Sequence, residues 1–260
     1  MPNPSLAEVR AVGQPPDVLG RLNDEHWAGR LYMRRFSPRV TWLLARLGWS
    51  PNTVTAAFIG CGLAAGVVVA FGGLLTAAAA AVLMQAYLLF DCCDGELARW
   101  RGQTSATGVY LDGIGHYLTE TVLLAALGLR AQGRLTVAGG YLTAGLAAAV
   151  LAALVKAETD NVIVARAKSG LTGGHEDADL APRGAALAVA RRLAAALKLH
   201  RAIQAVELSL LILLAATVDA VRGGLLATRV LTLACLVIAA LMVIAHLTAI
   251  LASRRLKPFP

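Results

Sequence analysis

The feature that most constrains this chain is a succession of apolar runs, at residues 51–71, 74–90, 107–129, 135–154, 202–221 and 225–251, separated by polar connections. A helix rises about 1.5 Å per residue, so about 20 apolar residues cross the roughly 30 Å of a bilayer's hydrocarbon. Each run comes close to that length. The expected fold is therefore all-α, a polytopic membrane helical bundle of about six transmembrane helices. Ser50 ahead of Pro51 predicts the start of the first, and Gly72-Gly73 the turn into the second.

Composition narrows the partners. Hydrophobic residues make up 57% and charged residues only 15%, a balance that belongs in lipid rather than in a soluble domain. A net charge of +8 would suggest nucleic acid in a soluble chain. Here the basic residues sit between apolar runs, where they act as topology signals and lipid-headgroup contacts, and no nucleic-acid partner is expected. Cys61, Cys92, Cys93 and Cys235 all fall inside apolar segments without zinc-type spacing. No removable signal peptide is expected, and the first span would direct insertion.

Residues 1–23 carry Pro2, Pro4, Pro15 and Pro16 without an apolar period, which predicts a flexible tail. In residues 24–48, Trp27, Leu31, Phe36, Val40, Leu43, Leu44 and Leu47 are interleaved with Arg30, Arg34, Arg35, Arg39 and Arg46. That pattern predicts an amphipathic interfacial helix, broken near Ser37-Pro38. Residues 49–260 then form the transmembrane domain, with a second basic amphipathic stretch at 185–201. Arginines from Arg21 to Arg46, Arg99, Arg101, the group from Arg166 to Arg201, Arg254, Arg255 and Lys257 all fall on one side. The opposite side has Arg130, Arg134, Arg222 and Arg229. The positive-inside rule then predicts cytoplasmic termini in a cell inner membrane, and Trp27, Trp42, Trp49 and Trp100 fall near that same face.

The second and third runs converge on a polar cluster. Asp91 and Asp94 share one helical face near the end of the second, and Gly108, Asp112 and His116 share one at the start of the third. At the helical rise both sets lie roughly 10–13 Å inside the cytoplasmic boundary. An acidic side chain at such a depth costs about 2.5–3.5 kcal/mol, and Arg99 alone cannot offset three. A divalent cation can, and oxygen ligands favour Mg²⁺ or Mn²⁺, with two ions forming a clamp suited to a pyrophosphate. Gly95 and Gly108 remove side chains where a ligand or a neighbouring helix must approach. Cys92 and Cys93 lie off the Asp91 face and read as packing residues. A cation or proton transporter would use the same acids, but it needs polar residues continuing to the far side. The distal halves of these two runs are nearly all Ala, Leu and Val, with Gln85 and Glu120 the main exceptions.

The run Asp91-x-x-Asp94-Gly95-x-x-Ala98-Arg99, then Gly108-x-x-x-Asp112-x-x-x-His116, resembles the signature of the CDP-alcohol phosphotransferase (phosphatidyltransferase) family. Pro51-Asn52-x-x-Thr55 is similar to the segment that opens that family's first span. The resemblance covers the chain from about Trp27 onward. It implies a homodimeric membrane enzyme in which an alcohol attacks a CDP-linked phosphate, releasing CMP. Carried over by position, Asp91, Asp94 and Asp112 would bind two metal ions; Asn52, Thr55, Gly95, Ala98, Arg99 and Gly108 would meet the cytidine nucleotide. The donor expected is CDP-diacylglycerol, the alternative being another CDP-linked donor or an unusual acceptor.

One signature position departs. Where the family has a fourth aspartate, assigned as general base and close to the second metal, this chain has His116, which can serve as base, ligand or both. Glu120, one helical turn further along, is expected to hold its imidazole in the reactive tautomer. Lys156, Arg166 and Lys168 are candidates for binding a phosphorylated acceptor alcohol. Gly62-x-x-x-Gly66 permits close helix packing within a protomer or across a dimer.

Overall fold

The computed structural model describes residues 5–16, 28–136, 138–171, 203–253 and 256–257. The chain divides into two compact units, Met1–Thr119 and Glu120–Pro260. The first contains α1 (Leu6–Gly13), a π-helical turn (Gly29–Met33) leading into α2 (Arg34–Arg46), α3 (Pro51–Ala70), α4 (Leu74–Arg101) and the opening half of α5 (Ala106–Gln132). The second holds the rest of α5, then α6 (Gly140–Lys168), α7 (Ala205–Arg222) and α8 (Leu226–Ala252). Among the described residues there is no strand.

Helices α3, α4, α6 and α8 are long and apolar enough to cross a membrane, which makes this an integral membrane protein. The two other expected spans are helical as well, but their apolar windows are diluted. Asp112, His116, Glu120 and Arg130 interrupt α5, and Glu207, Asp219 and Arg222 interrupt α7. Local signals set the ends. The Ser50 hydroxyl accepts from the Thr53 N–H at 3.1 Å and Pro51 stands in the first turn of α3. Gly72 and Gly73, at φ of 74° and 84°, make the turn into α4 in a region that L side chains avoid.

Three sequence expectations need correction. Residues 5–16 are not an irregular tail: α1 opens with a capping box in which Ser5 and Glu8 bond each other's backbone N–H groups, and Val9 is buried. The remainder of 1–23, residues 24–27 and the basic stretch at 185–201 lie outside the described residues. The interfacial helix does not break at Pro38, which sits inside α2. Proline has no N–H for the carbonyl four residues back, and here the Gln14 side-chain amide donates to Arg34 O at 2.8 Å. The helix survives because α1 supplies the missing donor. Finally, α6 does not stop near residue 154 but continues to Lys168.

In the second unit, polar groups tie helix ends together. Asp219 accepts from the backbone N–H groups of Ala227 and Thr228 at 2.7 and 3.0 Å and from the Thr228 hydroxyl at 2.6 Å, which caps α8. Glu158 and His246 meet at 2.9 Å between α6 and α8.

Candidate active site

A cleft of about 470 Å³ opens in the first unit, lined from α2, α3, α4, the α4–α5 connection and α5. The expected residues Asn52, Thr55, Asp91, Asp94, Gly95, Ala98, Arg99, Gly108, Asp112 and His116 all border it. The α3 and α5 helices begin at its edge, which puts the positive ends of two helix dipoles beside the cleft. Gly108 lies at this edge. Its N–H is capped by Ser105 Oγ at 3.1 Å, and a Cβ there would come within 3.6 Å of Asn52 Oδ1.

Deeper in the cleft, one ligand atom each from Asp91, Asp112 and His116 lie within 4.8 Å of one another. His116 Nε2 is 3.2 Å from Asp91 Oδ1 and 3.5 Å from Asp112 Oδ1. The imidazole is positioned from behind. Its Nδ1 is 2.6 Å from the Tyr87 hydroxyl, with Phe58 tilted beside it at 5.8 Å. A Cβ on Gly115 would fall 2.5 Å from the Phe58 ring, so α5 is pressed against α3 at the residue before the histidine. In the tautomer that carries its proton on Nδ1 and donates it to Tyr87, the Nε2 lone pair is left on the carboxylate side of the ring.

Two carboxylates and an imidazole in such proximity suit a divalent cation. Asp94 stands beside this trio. Its Oδ2 accepts from Thr55 Oγ1 at 2.7 Å and its Oδ1 from the Gly95 N–H at 2.5 Å. Each oxygen keeps a second lone pair, so the bonds orient the carboxylate without using it up.

One expected role falls out differently. Glu120 does not serve as partner for His116: its carboxylate pairs with Lys156 at 3.1 Å, and the imidazole Nδ1 is bonded to Tyr87 instead. Lys156, Arg166 and Lys168 belong to the second unit, the latter two in the last turn of α6.

Sequence reasoning passed over two residues. Tyr87 lies one turn before Asp91 on α4, and that i, i+4 spacing is the signal that could have found it. Glu96, inside the signature run, is wholly buried. It accepts from Gln14 Nε2 at 2.8 Å, Ser37 Oγ at 2.5 Å and Thr41 Oγ1 at 2.7 Å. Arg99, on the same helix, donates from Nε to Gly13 O at 2.8 Å. The acidic stretch of α4 thus faces the cleft on one side and fastens α1 and α2 on the other.

The sequence profile of the CDP-alcohol phosphatidyltransferases matches residues 49–255. The chain belongs to that family. No curated protein matches it. Membership makes the protein a transferase of phospholipid biosynthesis that works on a CDP-alcohol within a membrane. Such enzymes typically depend on a divalent metal, for which Asp91, Asp112 and His116 are the ligand set at hand.

Proposed function

We propose that the protein transfers a phosphatidyl group from CDP-diacylglycerol to the hydroxyl of a small alcohol or phospho-alcohol, with release of CMP. The observation that carries this reading is the Asp91, Asp112 and His116 trio inside a cleft bordered by two helix N-termini, in a chain that spans the membrane. Lipid tails stay in the bilayer while the diphosphate reaches the cleft. The expected sidedness places the cleft and both termini in the cytoplasm, and the oligomer expected is a homodimer.

Asp91, Asp94 and Asp112 would hold Mg²⁺ or Mn²⁺, two ions in all, which leaves the Nε2 lone pair of the neighbouring His116 for a proton. Bound there, the metal supplies charge stabilisation for the diphosphate oxygens. Asn52, Thr55, Gly95, Ala98, Arg99 and Gly108 form the nucleotide side of the cleft. Thr55 orients the Asp94 carboxylate for a cation, and His116 Nε2 takes the proton of the attacking hydroxyl. The acceptor oxygen then bonds to the lipid-bearing phosphorus as the bond to the CMP oxygen breaks. Lys156, Arg166 and Lys168 remain the candidates for an acceptor phosphate.

The test is CMP release by purified protein from CDP-diacylglycerol with Mg²⁺ and a panel of serine, glycerol phosphate, inositol phosphate and inositol. One acceptor should give a labelled lipid product in equal amount to CMP. A folded protein that releases no CMP with any acceptor overturns the reading.

Tyr87→Phe separates positioning from binding. Loss of one hydrogen bond to the imidazole is worth about tenfold, so kcat should fall by about that factor while KM for the donor stays put. An unchanged kcat would remove Tyr87 from the account of His116.

A further inference from the structure

We infer that Arg34 binds the diphosphate of the CDP-linked donor, and that the buried Glu96 carboxylate holds it in place. This rests on the CDP-linked donor proposed above. Arg34 lies outside the matched stretch and outside the signature run, so neither assigns it a role.

Arg34 opens α2, and its side chain lines the cleft together with Asp91, Asp94 and Arg99. Its Nη1 is 3.7 Å from Glu96 Oε1, closer than any ordinary long-range charge contact but beyond hydrogen-bond length. A carboxylate sealed from water must have partners, and Glu96 has three neutral ones in Gln14, Ser37 and Thr41. Those donors already satisfy its hydrogen-bonding needs. The guanidinium meets Glu96 as an ion pair without a hydrogen bond and stays 19% exposed, lining the cleft.

A guanidinium carries five donors in a planar fork, enough to face Glu96 on one edge and phosphate oxygens on another. The fixed charge of Glu96 limits where it can swing. Three carboxylates also line this cleft, Asp91, Asp94 and Asp112, and a donor diphosphate brings further negative charge. Arg34 brings a cation to this cleft from α2, an element that the signature run does not include. The anchorage explains the α1 contacts as well: Gln14 both bonds Glu96 and satisfies the Arg34 carbonyl, so α1 fixes the backbone and the counter-charge of the same arginine.

The experiment compares CDP and cytidine as ligands of the full-length protein, with Mg²⁺ present, by calorimetry, and follows donor and acceptor KM in the CMP-release assay. Arg34→Gln should weaken CDP by about ten- to hundredfold and raise donor KM, leaving cytidine affinity and acceptor KM unchanged. Arg34→Lys should recover part of the loss. Glu96→Gln keeps the shape of the network but removes the charge that steers Arg34, and should raise donor KM with kcat retained. On the unsubstituted protein, phenylglyoxal labelling of Arg34, read by peptide mass spectrometry, should be blocked by CDP and not by cytidine. Equal losses for CDP and cytidine, or no loss, overturn the inference, as does labelling that CDP leaves unchanged. Wild-type protein that turns over no CDP-linked donor overturns the underlying functional reading instead.

Discussion

Asp91→Asn is expected to cut CMP release by about a hundred- to a thousandfold, the usual effect of removing one fixed charge from a preorganised electrostatic site. Asp91 lies between the proposed base and the proposed metal site. Its Oδ1 is 3.2 Å from His116 Nε2, and it is one of the three groups able to share a cation. Asparagine preserves the shape but contributes neither the charge nor the second anionic oxygen. The protein should nevertheless fold, because the substitution also relieves repulsion among carboxylates converging on one cleft. Binding linkage supplies a readout independent of turnover. A ligand at a hundred times its Kd adds about 2.7 kcal/mol of stability, so Mg²⁺ or Mn²⁺ should raise the melting temperature of the wild type, and that shift should vanish in Asp91→Asn. A variant retaining both the metal-induced shift and its turnover would remove Asp91 from the metal site.

The parts of this site that could be read from sequence are those whose partners share a helix. Asp91 with Asp94 and Asp112 with His116 are fixed by helical period, and the short connection between α4 and α5 brings the two faces together. The start of α3 was equally legible, since Ser50 and Pro51 are local signals. What remained hidden depends on contacts far apart in sequence. Glu96 looks like an arbitrary residue between signature positions until Gln14, Ser37 and Thr41 arrive from α1 and α2. Glu120 illustrates the converse. Period correctly put it one turn beyond His116, but period does not say which neighbour is closer, and Lys156 took the carboxylate.

Composition misled in the N-terminal segment for a related reason. Prolines at Pro2, Pro4, Pro15 and Pro16 suggested disorder, yet they bracket a segment that begins Ser5-Leu6-Ala7-Glu8, a capping-box pattern. An isolated helix of that length would be marginal in water. It persists by docking, through burial of Val9, the bond from Arg99 to Gly13 O, and Gln14 reaching Glu96. Pro38 shows the same dependence. A proline inside a helix normally leaves a carbonyl without a donor, and the sequence could not reveal that Gln14 would supply one.

The largest effect on stability is expected from Gly128→Val. Membrane helices gain little from burying apolar surface against each other, so their association relies on close packing at small residues. In the second unit that principle reaches its limit where α5 crosses α6. A Cβ built on Gly128 would lie 2.6 Å from the Tyr141 carbonyl oxygen and 2.8 Å from the Gly145 Cα; one on Gly145 would lie 2.7 Å from the Gly128 Cα. These neighbours are backbone atoms, which no rotamer change can move aside. Valine therefore forces the two helices apart along their whole contact, at about 3 kcal/mol or more, the upper end of overpacking costs. Thermal unfolding in detergent should show a midpoint lower by about 6–12 °C, or no folded protein at all. Gly60→Ala on α3, where nothing lies within 4 Å of the added atom, should leave the midpoint unchanged or raise it slightly through the better helix propensity of alanine. If Gly128→Val instead melts with the wild type, the α5–α6 crossing is not the close contact described, and the second unit must owe its cohesion to the polar ties of Asp219 and Glu158.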